Sequence, residues 1–143
     1  MATSTPEEIR LGDITVRPLI EGGDTGGGLA IHEFTVGPGA RGPVAHSHDA
    51  YEETIYGLAG VLTMTVRDEA IEIRPGDVLC IPRGVVHHFD NAHDTDATAL
   101  AIVTPGILGG DYFRDIAGVV AAAAGGPPWV TVRWWCSAPW RVG

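Results

Sequence analysis

Short apolar and β-branched stretches alternate with clusters of Gly, Pro, Asn and Asp between Ile14 and Thr104. Many short strands separated by turn residues are typical of an antiparallel β-sandwich or β-barrel. The nine predicted strands are Ile14–Ile20, Leu29–Val36, Val44–His48, Glu53–Leu58, Val61–Val66, Ala70–Ile73, Asp77–Ile81, Val86–Asp90 and Thr98–Thr104. No long helical pattern interrupts them, so this region is predicted to be all-β.

Alternation within the strands indicates which face is buried. Leu62, Met64 and Val66 fall on one side of their strand, whereas Thr63 and Thr65 fall on the other, because successive side chains of a strand point to opposite faces. We expect the apolar set to face the core.

The pattern changes after Thr104, where apolar positions recur every three or four residues. Gly110 and Asp111 can cap a helix there, and Gly125 can end it. The apolar positions of this segment are Phe113, Ile116, Ala117, Val120 and Ala124. One short amphipathic helix packed on the sandwich is predicted.

The last stretch, Pro127 to Gly143, contains all four tryptophans of the chain and has no clear polar face. Three interpretations stay open. Val130–Trp135 could form an extra edge strand that buries its rings against the sheet or a partner subunit. The rings could instead stack on a ligand, or the end could depart from the natural reading frame. We assign no site residue there, and we divide the chain into an N-terminal segment 1–13, a β-barrel domain 14–104, and a helix with a Trp-rich tail 105–143.

Length and composition narrow the class of protein. With 143 residues, 45% of them apolar and 19% charged, the chain is expected to form one packed domain. The net charge of −9 and the lack of any basic run argue against binding nucleic acid. No basic leader followed by an apolar segment and no membrane-spanning run is present, so a cytoplasmic protein with no membrane partner is expected. Cys80 and Cys136 lack metal-type spacing and are expected to be reduced packing residues.

Three side chains with metal-binding chemistry lie close together near residue 50. His46 and His48 are two positions apart and point to the same side of a predicted strand. Glu53 enters the next strand after a short turn, so its carboxylate can reach the same point. This arrangement predicts three converging ligands.

A second group of residues follows about thirty positions later. It comprises Gly76, Pro82, Gly84, His87 and Asn91. If each specified residue occurs at about one position in twenty, this combination would arise by chance on the order of once in 10⁴ chains. Chance is a poor explanation for it.

The two groups together resemble the motifs of the cupin superfamily, G-x5-H-x-H-x3,4-E-x6-G and G-x5-P-x-G-x2-H-x3-N. His46, His48, Glu53 and Gly60 match the first motif, and the second is matched completely. One position departs, because Ala40 stands where the first motif begins with glycine; this affects a turn and not a ligand. The resemblance covers about residues 29 to 104.

The resemblance implies a small antiparallel jelly-roll β-barrel that holds one divalent metal ion through His46, His48, Glu53 and His87. The mixed nitrogen and oxygen donor set suits Fe, Mn, Ni, Zn or Cu, and four protein ligands leave two positions of a six-coordinate ion open. Substrate or water can then bind the metal directly.

Neighbouring polar residues are weaker candidates. Glu52 would point to the opposite face from Glu53, His88 is expected at the rim or surface, and His93 lies in a polar turn. His32 alternates with Ala30 and Phe34, which favours a packed or hydrogen-bonded histidine over a functional one. Packing is likewise favoured over a role in the substrate pocket for the set Arg41, Tyr51, Tyr56 and Met64, and Asn91 is expected to close a turn.

These features predict a metal-dependent enzyme that acts on a small oxygen-chelating organic molecule, foremost as a dioxygenase-type oxidoreductase. A non-redox isomerase, cyclase or lyase, or a non-enzymatic small-ligand-binding protein, is the alternative. No general base has a distinctive spacing. A homodimer is expected, with Ile14–Ile20 and the Trp-rich tail as candidate edges that need cover.

Overall fold

The computed structural model describes residues 3–122 and 140–142. Its strands are β1 Ile9–Leu11, β2 Ile14–Ile20, β3 Ala30–Val36, β4 His46–His48, β5 Glu52–Ala59, β6 Leu62–Val66, β7 Glu69–Ile73, β8 Val78–Ile81, β9 His87–Asp90, β10 Ala97–Thr104 and β11 Trp140–Val142. A helix, α1 Gly110–Ala122, follows β10, and a short 3-10 turn spans Gly22–Thr25. All nine predicted strands are present, whereas β1 and β11 were not predicted.

The strands form two antiparallel sheets that enclose one hydrophobic core. The six-stranded sheet has the order β1-β2-β3-β10-β5-β8, and the five-stranded sheet has the order β11-β4-β9-β6-β7. Ile55 of the first sheet and Met64 of the second belong to the same buried cluster. The all-β jelly roll with a short C-terminal helix is therefore confirmed, although its two sheets do not close into one continuous barrel.

Burial follows the predicted alternation. Leu62 and Met64 are buried, Val66 is half-buried, and the strand is paired on both sides by β7 and β9. The inner face of the central strand β10 is made of small side chains, namely Ala97, Ala99, Ala101 and Val103. Short side chains at the middle of a sheet leave space above them, and larger side chains of β3 and β5 extend into that space.

Two sequence expectations are corrected by the sheets. Ile14–Ile20 is not an edge strand, because β1 pairs along it in the register Ile9↔Val16. The short β1 takes the edge instead. Cys80 is exposed on β8 and is not a packing residue; Cys136 lies outside the described residues.

The helix α1 is fixed at its start by a carboxylate from a distant part of the chain. The backbone N–H of Gly110 donates to both carboxylate oxygens of Glu21, each at 3.1 Å. A Cβ added at Gly109 would lie 2.3 Å from a Glu21 oxygen, so a larger residue there would displace this carboxylate. Phe113, one turn into the helix, is buried in the core. The predicted amphipathic helix is thus present; its expected end at Gly125 lies outside the described residues.

Part of the Trp-rich tail can be placed. β11 pairs antiparallel with β4 in the register Trp140↔His48 and Val142↔His46, at the edge of the five-stranded sheet. The predicted strand Val130–Trp135 lies outside the described residues.

The division at residues 13 and 104 stays a prediction, although β1 shows that the N-terminal segment extends the sheet. Within the described ranges no helix is long and apolar enough to cross a membrane.

Candidate metal centre

Three histidines of the five-stranded sheet point into the space between the sheets. His46 and His48 occupy alternate positions of β4, and His87 begins β9 directly opposite His46 in the sheet register. All three are buried, with exposed fractions between 2% and 5%. Their ring centroids lie 4.6–4.9 Å apart in pairs. Strand alternation and one cross-strand pair therefore bring the three rings together.

Glu53 approaches the histidines from the opposite sheet. It lies on β5, and its Oε2 atom is 3.1 Å from Nε2 of His48 and 3.4 Å from Nε2 of His87. Its neighbour Glu52 faces outward and forms a bidentate pair with Arg83 at 3.0 and 3.2 Å. The structure thus brings Glu53 and not Glu52 to the histidines, as expected from strand alternation.

Backbone carbonyl groups orient two of the imidazole rings. Nδ1 of His46 lies 2.7 Å from the carbonyl oxygen of Val44, and Nδ1 of His87 lies 2.9 Å from that of Val85. A carbonyl oxygen only accepts, so each Nδ1 carries the proton and donates it. Nε2 then presents a lone pair toward the cavity, which is how metal-binding histidines are usually held.

The cluster is electrostatically coupled. Burial, and then the neighbouring His87, lower the pKa of His46 to about 3, so this ring is neutral at pH 7. Burial of Glu53 acts to raise its pKa, but its contacts with the imidazoles of His48 and His87 outweigh burial and lower it. Burial acts to lower the pKa of His87, and contact with Glu53 raises it overall. Glu53 is therefore an ionised carboxylate among imidazoles.

These donors fit one transition-metal ion. The ligand atoms of His46, His48 and His87 all lie within 4.8 Å of one another. Two donors bound to one ion at about 2.1 Å each can be at most about 4.2 Å apart, so small side-chain rotations suffice. A buried carboxylate with imidazole nitrogens is a donor set that binds Fe, Mn, Ni, Cu or Zn. The three histidines are thus positioned to bind a metal ion whose identity the geometry leaves open.

The cluster forms one side of a partly open cavity with a volume of about 60 Å³. Most of the wall is apolar, formed by Leu11, Ile14, Val16, Phe34, Pro43, Ile55, Met64, Phe89, Leu108 and Phe113, and the polar lining residues are His32, His46, His48, Glu53 and His87. We call His46, His48, Glu53 and His87 the histidine side, and His32, Phe34, Leu108 and Phe113 the helix side. Apolar walls around a polar group of donors are typical of small-molecule sites.

The other candidates from the sequence are distributed around this cavity. Met64 lines it, whereas Tyr51 is buried behind it with its ring stacked on His48 at 4.3 Å. Tyr56 is 40% exposed on the outer face of the sheet, and Arg41 is exposed beside Asp90. Packing, rather than a place in the pocket, is thus confirmed for Tyr51.

Asn91, His88 and His93 contact groups outside the donor cluster. Asn91 is buried and donates to the carbonyl oxygens of Val36 and Thr95 at 2.9 and 2.7 Å, which closes the loop after β9 as expected. His88 is half-buried within 3.6 Å of Asp90, away from the donor cluster. His93 lies 3.3 Å from Glu72 at the surface.

Sequence reasoning missed the helix side of the cavity. His32 is buried, as expected, but its Nδ1 atom has no hydrogen-bond partner among the described residues. Leu108 and Phe113 reach the cavity only because α1 docks against the sheets. The alternation of His32 with Ala30 and Phe34 was the available signal that it points inward.

Comparison with known proteins identifies the family. The cupin domain family matches residues 32–103, half of the chain and the part that contains both motifs and every residue of the histidine side. The chain belongs to the cupin family. The matched region contains β4 to β9 and most of β3 and β10, whereas β1, β2, the helix and the tail lie outside it.

Known relatives of this cupin differ in activity. It is 33% identical over 81 residues to quercetin 2,3-dioxygenase of Bacillus subtilis, and it spans 23% of that protein's length. Among solved structures, it resembles the polyketide cyclase RemF of Streptomyces resistomycificus, with a TM-score of 0.62, 22% identity, and 82% and 94% of the two chains covered. A predicted oxalate decarboxylase of Thermotoga maritima gives a TM-score of 0.63 at 23% identity, covering 71% and 92%. These structural likenesses show the fold.

Proposed function

We propose that this cupin is a metal-dependent enzyme that acts on a small organic molecule bound to the metal through oxygen atoms, foremost as a dioxygenase. The single observation that supports it best is the convergence of His46, His48 and His87 with the ionised Glu53 on one wall of a mostly apolar cavity. The 33% identity to a quercetin 2,3-dioxygenase supports the oxidative reaction. We propose all four residues as the ligands of one ion.

Each residue contributes in a definable way. Val44 and Val85 hold the rings of His46 and His87 so that Nε2 faces the cavity. Glu53 adds a negative charge that offsets the charge of a divalent ion. When bound, the metal supplies Lewis acidity toward a coordinated oxygen and, if redox-active, electron exchange with dioxygen. The apolar wall excludes bulk water, which strengthens these electrostatic interactions.

A second candidate function keeps the metal but not the oxidation. The chain covers 94% of a polyketide cyclase that shares its fold, and the same donors would serve a redox-inert ion in an isomerase, cyclase or lyase. A binding protein without turnover is the third alternative. All three share the metal site. Only the dioxygenase requires oxygen, and only the binding protein converts no substrate.

Measuring the metal content tests the metal site that the three candidate functions share. Protein is purified without a chelating column, and the wild type is compared with Glu53→Ala, His87→Ala and the matched control Glu52→Ala by elemental analysis. We expect near-stoichiometric metal in the wild type and in Glu52→Ala, and a large loss in the other two variants. Equal metal in all four proteins would contradict the site.

Oxygen uptake tests the reaction class. Protein reconstituted separately with iron(II), manganese(II), nickel(II) or zinc(II) is offered diketones, catechols and flavonols in an oxygen electrode. Uptake that depends on substrate and is lost in Glu53→Ala supports the dioxygenase. Substrate conversion without oxygen uptake supports the cyclase or isomerase, and binding without conversion supports the non-enzymatic protein.

The homodimer and the cytoplasmic location stay predictions. Tyr56, Leu58 and Val78 are exposed on the outer face beside the edge strand β8, with Val78 65% exposed. Light scattering that gives twice the mass of one chain, and one chain mass for Val78→Lys, would support a dimer through this face. A monomeric wild type would contradict it.

A further inference from the structure

His32 is the polar residue on the helix side of the cavity. It lies on β3 between β2 and β10, in register with Ala101, and its side chain points inward with a residue exposure of 6%. Its ring meets Phe113 of α1 edge-on at a centroid distance of 4.8 Å and lies 6.4 Å from Phe34. An imidazole therefore faces the cavity from among aromatic side chains.

The imidazole of His32 is incompletely hydrogen-bonded. Its Nδ1 atom is buried and has no partner within residues 3–122 and 140–142. A buried polar atom without a partner destabilises a fold, whereas an aliphatic side chain of similar size would not. Packing alone therefore gives no reason for a histidine here. Because the ring lines the cavity while Nδ1 itself is covered, a turn of the ring about its Cβ–Cγ bond would bring this nitrogen to a group inside the cavity.

The protonation state of His32 suits a neutral ligand group. Burial lowers the pKa of His32 to about 4, and the negative charge of Glu53 only partly opposes this. The ring is therefore neutral at pH 7. A neutral imidazole has one nitrogen that donates and one that accepts, so it can pair with either a hydroxyl or a carbonyl group.

We propose that His32 contacts the substrate and hydrogen-bonds through its imidazole to a polar group outside the metal-binding oxygens. The inference rests on the proposed function, since it assumes that oxygen atoms of the substrate face the histidine side. It adds a substrate class: a compact molecule with a chelating oxygen pair and at least one further hydroxyl or carbonyl group. The apolar remainder of the helix side would contact the carbon skeleton.

Two chelators that differ by one hydroxyl test this assignment. Kojic acid and allomaltol share the same hydroxy-ketone pair, and kojic acid adds a hydroxyl on its distal methyl group. Both are titrated by calorimetry into zinc-loaded wild type, His32→Leu and His32→Gln, because zinc excludes turnover. Leucine approximates the volume of histidine without hydrogen bonding, and glutamine keeps a donor and an acceptor. Zinc content and circular dichroism are measured on every sample.

We expect the wild type to bind kojic acid about fivefold to tenfold more tightly than allomaltol, the effect of one hydrogen bond. The ratio should fall to about one in His32→Leu and be partly retained in His32→Gln, with zinc content unchanged. The same ratio in the wild type and His32→Leu would overturn the inference, as would loss of zinc in His32→Leu. A wild type that takes up no zinc, or that binds neither chelator, would instead overturn the proposed function.

Discussion

The two sides of the cavity satisfy their buried polar groups in different ways. On the histidine side, Glu53 contacts His48 and His87, and backbone carbonyl groups accept hydrogen bonds from Nδ1 of His46 and His87. On the helix side, His32 stands among aromatic and aliphatic side chains with its Nδ1 unpaired by the described residues. Nε2 of His87 also lacks a hydrogen bond on the histidine side, 3.4 Å from Glu53. The polar groups there nevertheless contact one another, whereas His32 is the one polar group in an apolar wall.

This difference matches the separate tasks that we propose for the two sides. Ligands for a metal must be held in fixed positions, which the strands β4, β5 and β9 and their hydrogen bonds provide. Selection among substrates requires contacts to the rest of the molecule, which the helix side offers. Substitutions on the helix side should therefore change stability and selectivity, and those on the histidine side should change metal binding.

Phe113→Ala should have the largest effect on stability, because this ring is buried in the core and packs edge-on against the ring of His32. Removing a buried phenylalanine side chain costs about 3–5 kcal/mol of unfolding free energy. Urea denaturation monitored by circular dichroism measures it. Val119→Ala, on the same helix but 37% exposed, should cost less than about 0.5 kcal/mol. Equal losses in the two variants would show that α1 does not close the cavity.

The second prediction concerns pH. Since the pKa of His32 is about 4 in the folded protein against the ordinary value of 6.5 for a solvated imidazole, the unfolded chain binds more protons between these values. Stability contributed by the neutral ring is therefore complete above about pH 6.5 and is lost as the pH falls toward 4. The loss from this one group reaches about 3 kcal/mol. The slope of unfolding free energy against pH should be shallower in His32→Gln than in the wild type.

His93→Gln is the matched control for the pH experiment, because His93 lies at the surface beside Glu72. Its unfolding free energy at pH 7 should stay within about 0.5 kcal/mol of the wild type. If His32→Gln keeps the profile of the wild type, His32 is not a buried neutral imidazole in solution.

The third prediction tests the histidine side by the stabilisation that zinc binding gives to the folded protein. A ligand that binds only the folded state stabilises it by about 2.7 kcal/mol at a free concentration one hundred times its dissociation constant. Thermal unfolding with and without zinc(II) should show this gain in the wild type. Glu53→Gln should lose most of it, whereas Glu52→Gln should keep it, because the Glu52 side chain pairs with Arg83 outside the cavity. A gain of equal size in both variants would remove Glu53 from the ligand set.

The histidine side could be predicted from the sequence because its geometry is local. Two residues that are two apart in a strand share a face, which brings His46 and His48 together without knowledge of the rest of the fold. Glu53 follows after one turn, and His87 was recognised from the second motif. The motif glycine Gly60 is likewise explained by its local backbone. Its φ is +63°, and an added Cβ would lie 2.1 Å from the carbonyl oxygen of Asp96.

The helix side could not be predicted in the same way, because it is assembled from distant parts of the chain. Alternation places His32 on an inner face but does not show whether a partner exists for its nitrogen atoms. Phe113 and Leu108 line the cavity only after α1 has docked. The edge of the six-stranded sheet was assigned to Ile14–Ile20 because β1 is three residues long and too short to show an alternating pattern.

The smallest predicted effect tests how α1 is held on the helix side. Glu21→Ala removes the carboxylate that accepts the N–H of Gly110, and loss of a helix N-terminal cap costs about 1 kcal/mol. The amides of the first helical turn should exchange faster with deuterium, while zinc content should stay at the wild-type value because the histidine side is untouched. Glu69→Ala, which removes an exposed carboxylate from β7, should leave both measurements unchanged. Loss of zinc in Glu21→Ala would show that docking of the helix also maintains the metal ligands, and the two sides of the cavity would then form one unit.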